Sequence, residues 1–141
     1  MRSTADLSDT DYRALAGFRK QLRAFVAFSE DAARKVGLEP RQHQLLLALR
    51  GLDDEPSVGA LAQHMALKHH TVVELLDRLE VAGLIKRERA ADDRRRAQIA
   101  ITERGRDLLR KLSRAHLDEL RERAPALVSS LTLVLRASRR A

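Results

Sequence analysis

Apolar positions along this chain fall into helical runs, interrupted once by two short strand-like segments. From Asp9 to about Val36, Leu15, Phe18, Leu22, Phe25 and Ser29 recur at alternating three- and four-residue steps; Tyr12 extends the series and Phe28 widens it. These steps average 3.5 residues, the spacing of a coiled-coil seam and narrower than the face a helix buries on its own core. A helix this long in a chain of 141 residues needs something to pack on. We read it as half of a dimer interface, the alternative being an amphipathic helix on its own core. Residues 1–8 are polar and expected to fray.

Gly37 suits a left-handed cap after this helix, and Pro40 can open a second, where its missing N–H is harmless. The second helix runs to Gly51 with a stripe of Leu45, Leu46 and Leu49. After a loop at 52–56, Ser57 is placed to cap a short helix over 57–65. Residues 68–82 predict another helix, with Val72, Leu75, Leu76 and Leu79 on one face and Gly83 as its stop. Leu84–Arg89 and Gln98–Ile101 read as two strands of a hairpin. Thr102 is placed to cap the next helix, which carries Leu108, Leu109, Leu112, Leu117 and Leu120 and is expected to end before Pro125. A last helix then carries Leu127, Val128, Leu131, Val134 and Leu135, ahead of a loose basic tail.

Composition sharpens this picture. Apolar residues make up 44%, enough for one domain with a modest core. Lys and Arg number 27 against 20 Asp and Glu, a formal charge of +7 that favours polyanionic partners. The chain has no cysteine, which excludes disulfides, thiolate metal sites and thiol redox sensing. No run approaches a membrane span and no signal core opens the chain, so a cytoplasmic protein without a membrane partner is expected.

The order helix, helix, turn, helix, hairpin is that of a winged helix-turn-helix: mainly α with a small β-hairpin. If 68–82 is the recognition helix, its apolar face packs on the domain and its N-terminal end points outward. The ordered set Leu61-Ala62, Asp77-Arg78-Leu79-Glu80, Gly83-Leu84-Ile85 with Arg87, Asp93-Arg94-Arg95 and Ile101-Thr102-Glu103-Arg104-Gly105 resembles the MarR family of bacterial transcriptional regulators. The resemblance covers nearly the whole chain. It implies dimerisation helices at 1–36 and 103–141 around a DNA-binding lobe at 37–102, with a recognition helix at 68–82 and a wing at 84–101. It further implies a homodimer on pseudo-palindromic duplex DNA, and often a repressor released by a small aromatic or anionic effector.

Residues 84–101 hold six basic and three acidic residues, a net +3, which is either a solvated face or a finger for DNA. Arginine suits a narrow minor groove because it stays charged and is attracted by the concentrated negative potential there. Arg94 or Arg95 is the candidate for that contact, with Arg96 on a phosphate or in solvent; Asp93 is read as a brace across the turn to Arg95. Lys68 and Thr71 are candidate phosphate contacts, and His69 and His70 donors to phosphates or base edges, or else a solvated helix start. Arg78 and Arg87 complete the candidate DNA-binding set. For Glu74 we expect an ion pair with Arg78, or with protonated His70, rather than base readout.

Other functions have less support. There is no phosphate-cradling glycine loop, no GxSxG elbow and no cysteine nucleophile, so no enzyme is expected. The histidines lack the i, i+4 pairing of metal ligands, and no metal or cofactor is expected. A winged-helix module for RNA or protein is the alternative, disfavoured by the scarcity of stacking aromatics and by the basic wing. An effector pocket would draw on Phe18, Phe25 and His43, with Arg13 or Arg19 pairing an anion; the competing reading of the aromatics is a filled core.

Overall fold

The structure, a computed structural model, describes residues 6–52, 55–89 and 97–138. Five helices and one hairpin follow in the order α1 (Asp9–Lys35), α2 (Pro40–Gly51), α3 (Val58–Met65), α4 (His69–Val81), β1 (Ile85–Arg89), β2 (Ala97–Ile101) and α5 (Glu103–Ser138). The strands pair antiparallel, with Ile85 opposite Ile101 and Arg87 opposite Ile99.

The local signals explain most element ends. Ser8 and Asp11 cap α1 reciprocally: each backbone N–H donates to the other's side-chain oxygen, at 3.0 and 3.2 Å. Gly37 takes φ +80 in the turn after α1, a conformation that costs glycine little. The Glu39 backbone N–H donates to Gln42 Oε1 at 2.8 Å, ahead of Pro40 in the first turn of α2. Ser57 Oγ accepts from the Ala60 N–H at 3.1 Å, the cap expected for α3. Gly83, at φ +75, follows α4.

The chain divides into two compact units, one of residues 30–114 and one of residues 1–29 with 115–141. The 30–114 unit holds the principal core. Leu45, Leu46, Leu61, Val72, Leu76, Leu79 and Ile85 are its largest fully buried side chains, joined by Leu38, Leu75, Leu84, Leu109 and Leu112. Each buried Leu or Ile contributes roughly 1.5–3 kcal/mol relative to an exposed one. The stripe on α4 foreseen from its spacing is therefore what seats that helix.

Thr102 joins the hairpin to α5. Its Oγ1 donates to Gly83 O at 2.7 Å and accepts from the Gly105 N–H at 3.1 Å, while its own N–H donates to Leu84 O. Gly105 lies so close to this junction that an added Cβ would sit 2.2 Å from Leu84 O and 2.8 Å from Ile101 Cγ2.

In the other unit, both parts of α5 meet α1. Phe25 and Phe28 set their rings edge-on to His116, at 6.1 and 5.5 Å between centroids. His116 Nε2 lies 2.7 Å from Ser29 Oγ. Beyond Pro125, Ser130 Oγ lies 4.0 Å from where a Cβ on Gly17 would be.

This arrangement corrects one expectation. The chain does not break before Pro125: α5 is a single helix of 36 residues with that proline inside it. Pro125 removes one backbone donor, but its fixed φ is that of a helix, and the helix continues through it where the sequence predicts two.

Candidate nucleic-acid interface

Helix α4 presents two different surfaces. Val72, Leu75, Leu76 and Leu79 are at most 4% exposed and face the core. At its start, Lys68 is the N-cap residue, and Lys68, His69 and His70 are exposed while Thr71 is half-buried. The structure therefore brings these four candidates together at one solvent-facing helix end. An N-terminus of this kind offers unsatisfied backbone donors as well as side chains to an anion.

Two arginines of the expected contact set are engaged within the protein. Arg78 Nη1 donates to both carboxylate oxygens of Glu39, at 3.1 and 3.0 Å. Glu39 is the residue capping α2, so this pair ties the start of α2 to the last turn of α4. Arg87, on β1, donates through Nη2 to Asp77 Oδ1 and to Glu80 Oε1, the latter at 2.9 Å. Its backbone N–H also donates to Glu80 Oε2 at 3.2 Å. The Arg87 side chain and backbone N–H hold the Glu80 carboxyl below its ordinary value. The Glu80 and Asp77 carboxylates in turn push the Arg87 guanidinium further up.

Glu74 behaves otherwise than expected. Among the described residues it pairs with neither Arg78 nor His70. Glu39 supplies two acceptor oxygens to Arg78 from across the fold, and the i, i+4 partner is left in solvent.

Sequence reasoning missed Glu39, Asp77 and Glu80 as partners of these arginines. The three-residue spacing of Asp77 and Glu80 places both on one side of α4, a signal available in the sequence. Nothing local connects Glu39 to Arg78, 39 positions away. Asp93, Arg94, Arg95 and Arg96 lie outside the described residues.

The effector candidates are dispersed. His43 is buried in the 30–114 unit, at 3% exposure. Phe18 and Phe25 are half-buried, and Arg13 and Arg19 exposed, in the other. An open depression of about 620 Å³ beside the α1–α2 turn, lined by Glu30, Arg34, Glu39 and Arg41 among others, includes none of these five. No three described His, Asp or Glu side chains gather as a metal site, and no described helix is long and apolar enough to cross a membrane.

Residues 36–96, which begin just after α1 and include α2, α3, α4 and β1, match the model of the MarR family. Over 119 residues the chain is 34% identical to the HTH-type transcriptional regulator YcgE of Bacillus subtilis (strain 168), covering 82% of this chain and 77% of YcgE. The chain belongs to the MarR family. Solved structures share the fold of this MarR-family chain. AbsC, a MarR family transcriptional regulator from Streptomyces coelicolor, superposes with a TM-score of 0.68 at 24% identity, over 84% of this chain and 81% of AbsC. A point variant of Staphylococcus aureus MepR, solved bound to an oligodeoxyribonucleotide, does so with a TM-score of 0.66 at 23% identity, over 85% of this chain and 94% of MepR. The winged helix-turn-helix fold read from the order of elements thus holds.

Proposed function

We propose that this MarR-family chain is a homodimeric, sequence-specific duplex-DNA-binding regulator in the cytoplasm, and that it acts as a repressor released by a small aromatic or anionic ligand. The observation that carries DNA binding is α4. Its apolar face is consumed by the core, leaving Lys68, His69, His70 and Thr71 at an accessible helix end ahead of a hairpin. That is the placement a helix needs to enter a major groove while a wing reaches the neighbouring backbone. MepR bound to an oligodeoxyribonucleotide supports the same use of the fold.

In this proposal residues 37–102 form the DNA-binding lobe, and 1–36 with 103–141 the dimerisation helices. Arg94 or Arg95 enters the minor groove, with Asp93 as brace and Arg96 at a phosphate. Dimerisation is supported by the apolar side chains that the 1–29 and 115–141 unit leaves open: Leu15, Leu22, Val26, Leu117, Val128 and Leu131 are each more than 40% exposed. A two-fold protein dimer requires a matching two-fold site. Release by a ligand would be a population shift between DNA-competent and incompetent forms, with reciprocal coupling. Phe18 and Phe25, with Arg13 or Arg19, are its proposed contacts within the 1–29 and 115–141 unit, and His43 is a separate candidate in the other.

The test is fluorescence anisotropy with the promoter region beside the protein's own gene and a shuffled control, each at two salt concentrations. Selective binding with a steep salt slope supports the proposal; weak binding equal for both duplexes overturns it. Arg95→Ala is expected to weaken the selective complex by roughly 1–3 kcal/mol, and unchanged affinity in a folded dimer would remove Arg95 from the wing contact.

A further inference from the structure

We propose that Arg87 is a positioning residue for sequence discrimination and not a phosphate contact: it fastens the first strand of the wing to the second half of the recognition helix and so sets the bearing of one on the other. The inference rests on the DNA-binding reading above.

A two-stranded ribbon has little stability of its own, so its direction must be imposed by whatever it is attached to. Leu84 and Ile85 are buried, at 2% and 1% exposure, and anchor the start of the ribbon. Arg87 makes the next tie to α4, twice over. Its backbone N–H donates to Glu80, which caps the strand edge that does not face β2. Its guanidinium bridges Glu80 and Asp77, one helical turn apart. Side chain and backbone are thus held by the same helix. A rotation of β1 about its own axis would break both contacts together.

Charge separates this role from a phosphate contact. Arg87 carries +1 and its two partners −1 each, so the cluster sums to −1. The Arg87 side chain is only 27% exposed. Swinging it to a phosphate would desert two carboxylates and leave them facing a polyanion. The two roles therefore predict opposite signs when a carboxylate is deleted. For a phosphate contact, removing Glu80 frees the arginine, raises the net charge and tightens DNA binding. For a positioning residue, removing Glu80 loosens the wing and weakens discrimination despite the more favourable charge.

The experiment uses the full chain, the duplex best retained by the wild type from a randomised pool, and a shuffled version of it. Anisotropy titrations at several salt concentrations would compare wild type with Arg87→Ala, Arg87→Lys, Asp77→Ala and Glu80→Ala, each shown by its melting profile to be folded at the assay temperature. We expect Arg87→Ala and Glu80→Ala each to lower the ratio of selected to shuffled affinity about tenfold, with binding to the shuffled duplex held or raised in Glu80→Ala. Arg87→Lys restores part of the ratio, because an ammonium is a point charge that cannot span both carboxylates as the planar fork does. Tighter or unchanged selective binding in Glu80→Ala overturns the proposal. So does full rescue by Arg87→Lys joined to a salt slope about one unit smaller in Arg87→Ala. A wild type that prefers no duplex overturns the regulator reading itself, and this role with it; selective wild-type binding that the variants leave intact overturns only the role of Arg87.

Discussion

At the scale of single residues, Gly105 is the most tightly crowded glycine. The place of a Cβ on Gly105 is 2.2 Å from a backbone oxygen, Leu84 O, which no side-chain rotation can clear. Gly105→Ala must push α5 away from the Gly83–Leu84 turn and weaken the Thr102 bonds that join them. We expect a loss of roughly 1–3 kcal/mol, the usual range for overpacking, read from urea unfolding. Wild-type stability would mean that this junction yields freely. Thr102 could be read as a cap from sequence, because threonine before a helix has few other uses. The close approach at Gly105 could not, since it depends on how β1 and α5 meet.

At the scale of elements, α5 and the α4–β1 attachment each make a claim. Proline inside a helix costs about 3 kcal/mol against alanine, part of which is returned by a stiffer unfolded chain. Pro125→Ala is therefore expected to stabilise the protein by roughly 2 kcal/mol, measured by thermal unfolding. A fall in stability would show that α5 uses the proline's geometry. For α4 and β1, Glu80 has its pKa lowered, chiefly by the Arg87 side chain. A carboxyl lowered in the folded state contributes stability above its ordinary value and loses it as pH falls through the folded one. The stability gap between wild type and Glu80→Ala should thus be present at neutral pH, narrow as pH falls below the ordinary glutamate pKa, and close only below the lowered pKa of the folded state. A gap that persists in acid would assign the effect to packing instead of charge. The helix stripe and both strands were legible because burial imposes a period of 3.6 or 2 on the sequence. The unbroken α5 was not, because a proline marks a helix end locally while the fold carries the helix through it.

At the scale of the molecule, the open apolar side chains of the 1–29 and 115–141 unit bear on assembly. Leu131 is 43% exposed and Leu22 42%. In a dimer built on these helices, Leu131→Glu would bury a charge without a partner. We expect self-association at least about tenfold weaker, or ~1.4 kcal/mol, by sedimentation, with a parallel loss of selective DNA binding. A dimer of unchanged strength would move the interface elsewhere.

The sequence by itself determined the helix faces, the caps at Ser57 and Thr102, the hairpin and the order of elements that marks the MarR family. These are written in short-range periods and in residues whose backbone chemistry acts within a few positions. Only the tertiary structure decided that α5 is continuous, that a Cβ on Gly105 would crowd Leu84 O, and where Arg78 and Arg87 direct their charge. An arginine in a sequence is equally able to meet a phosphate or a carboxylate. Which it meets depends on what the fold brings within about 3 Å, the reach of a hydrogen bond, and for Arg78 and Arg87 the fold brings Glu39, Asp77 and Glu80.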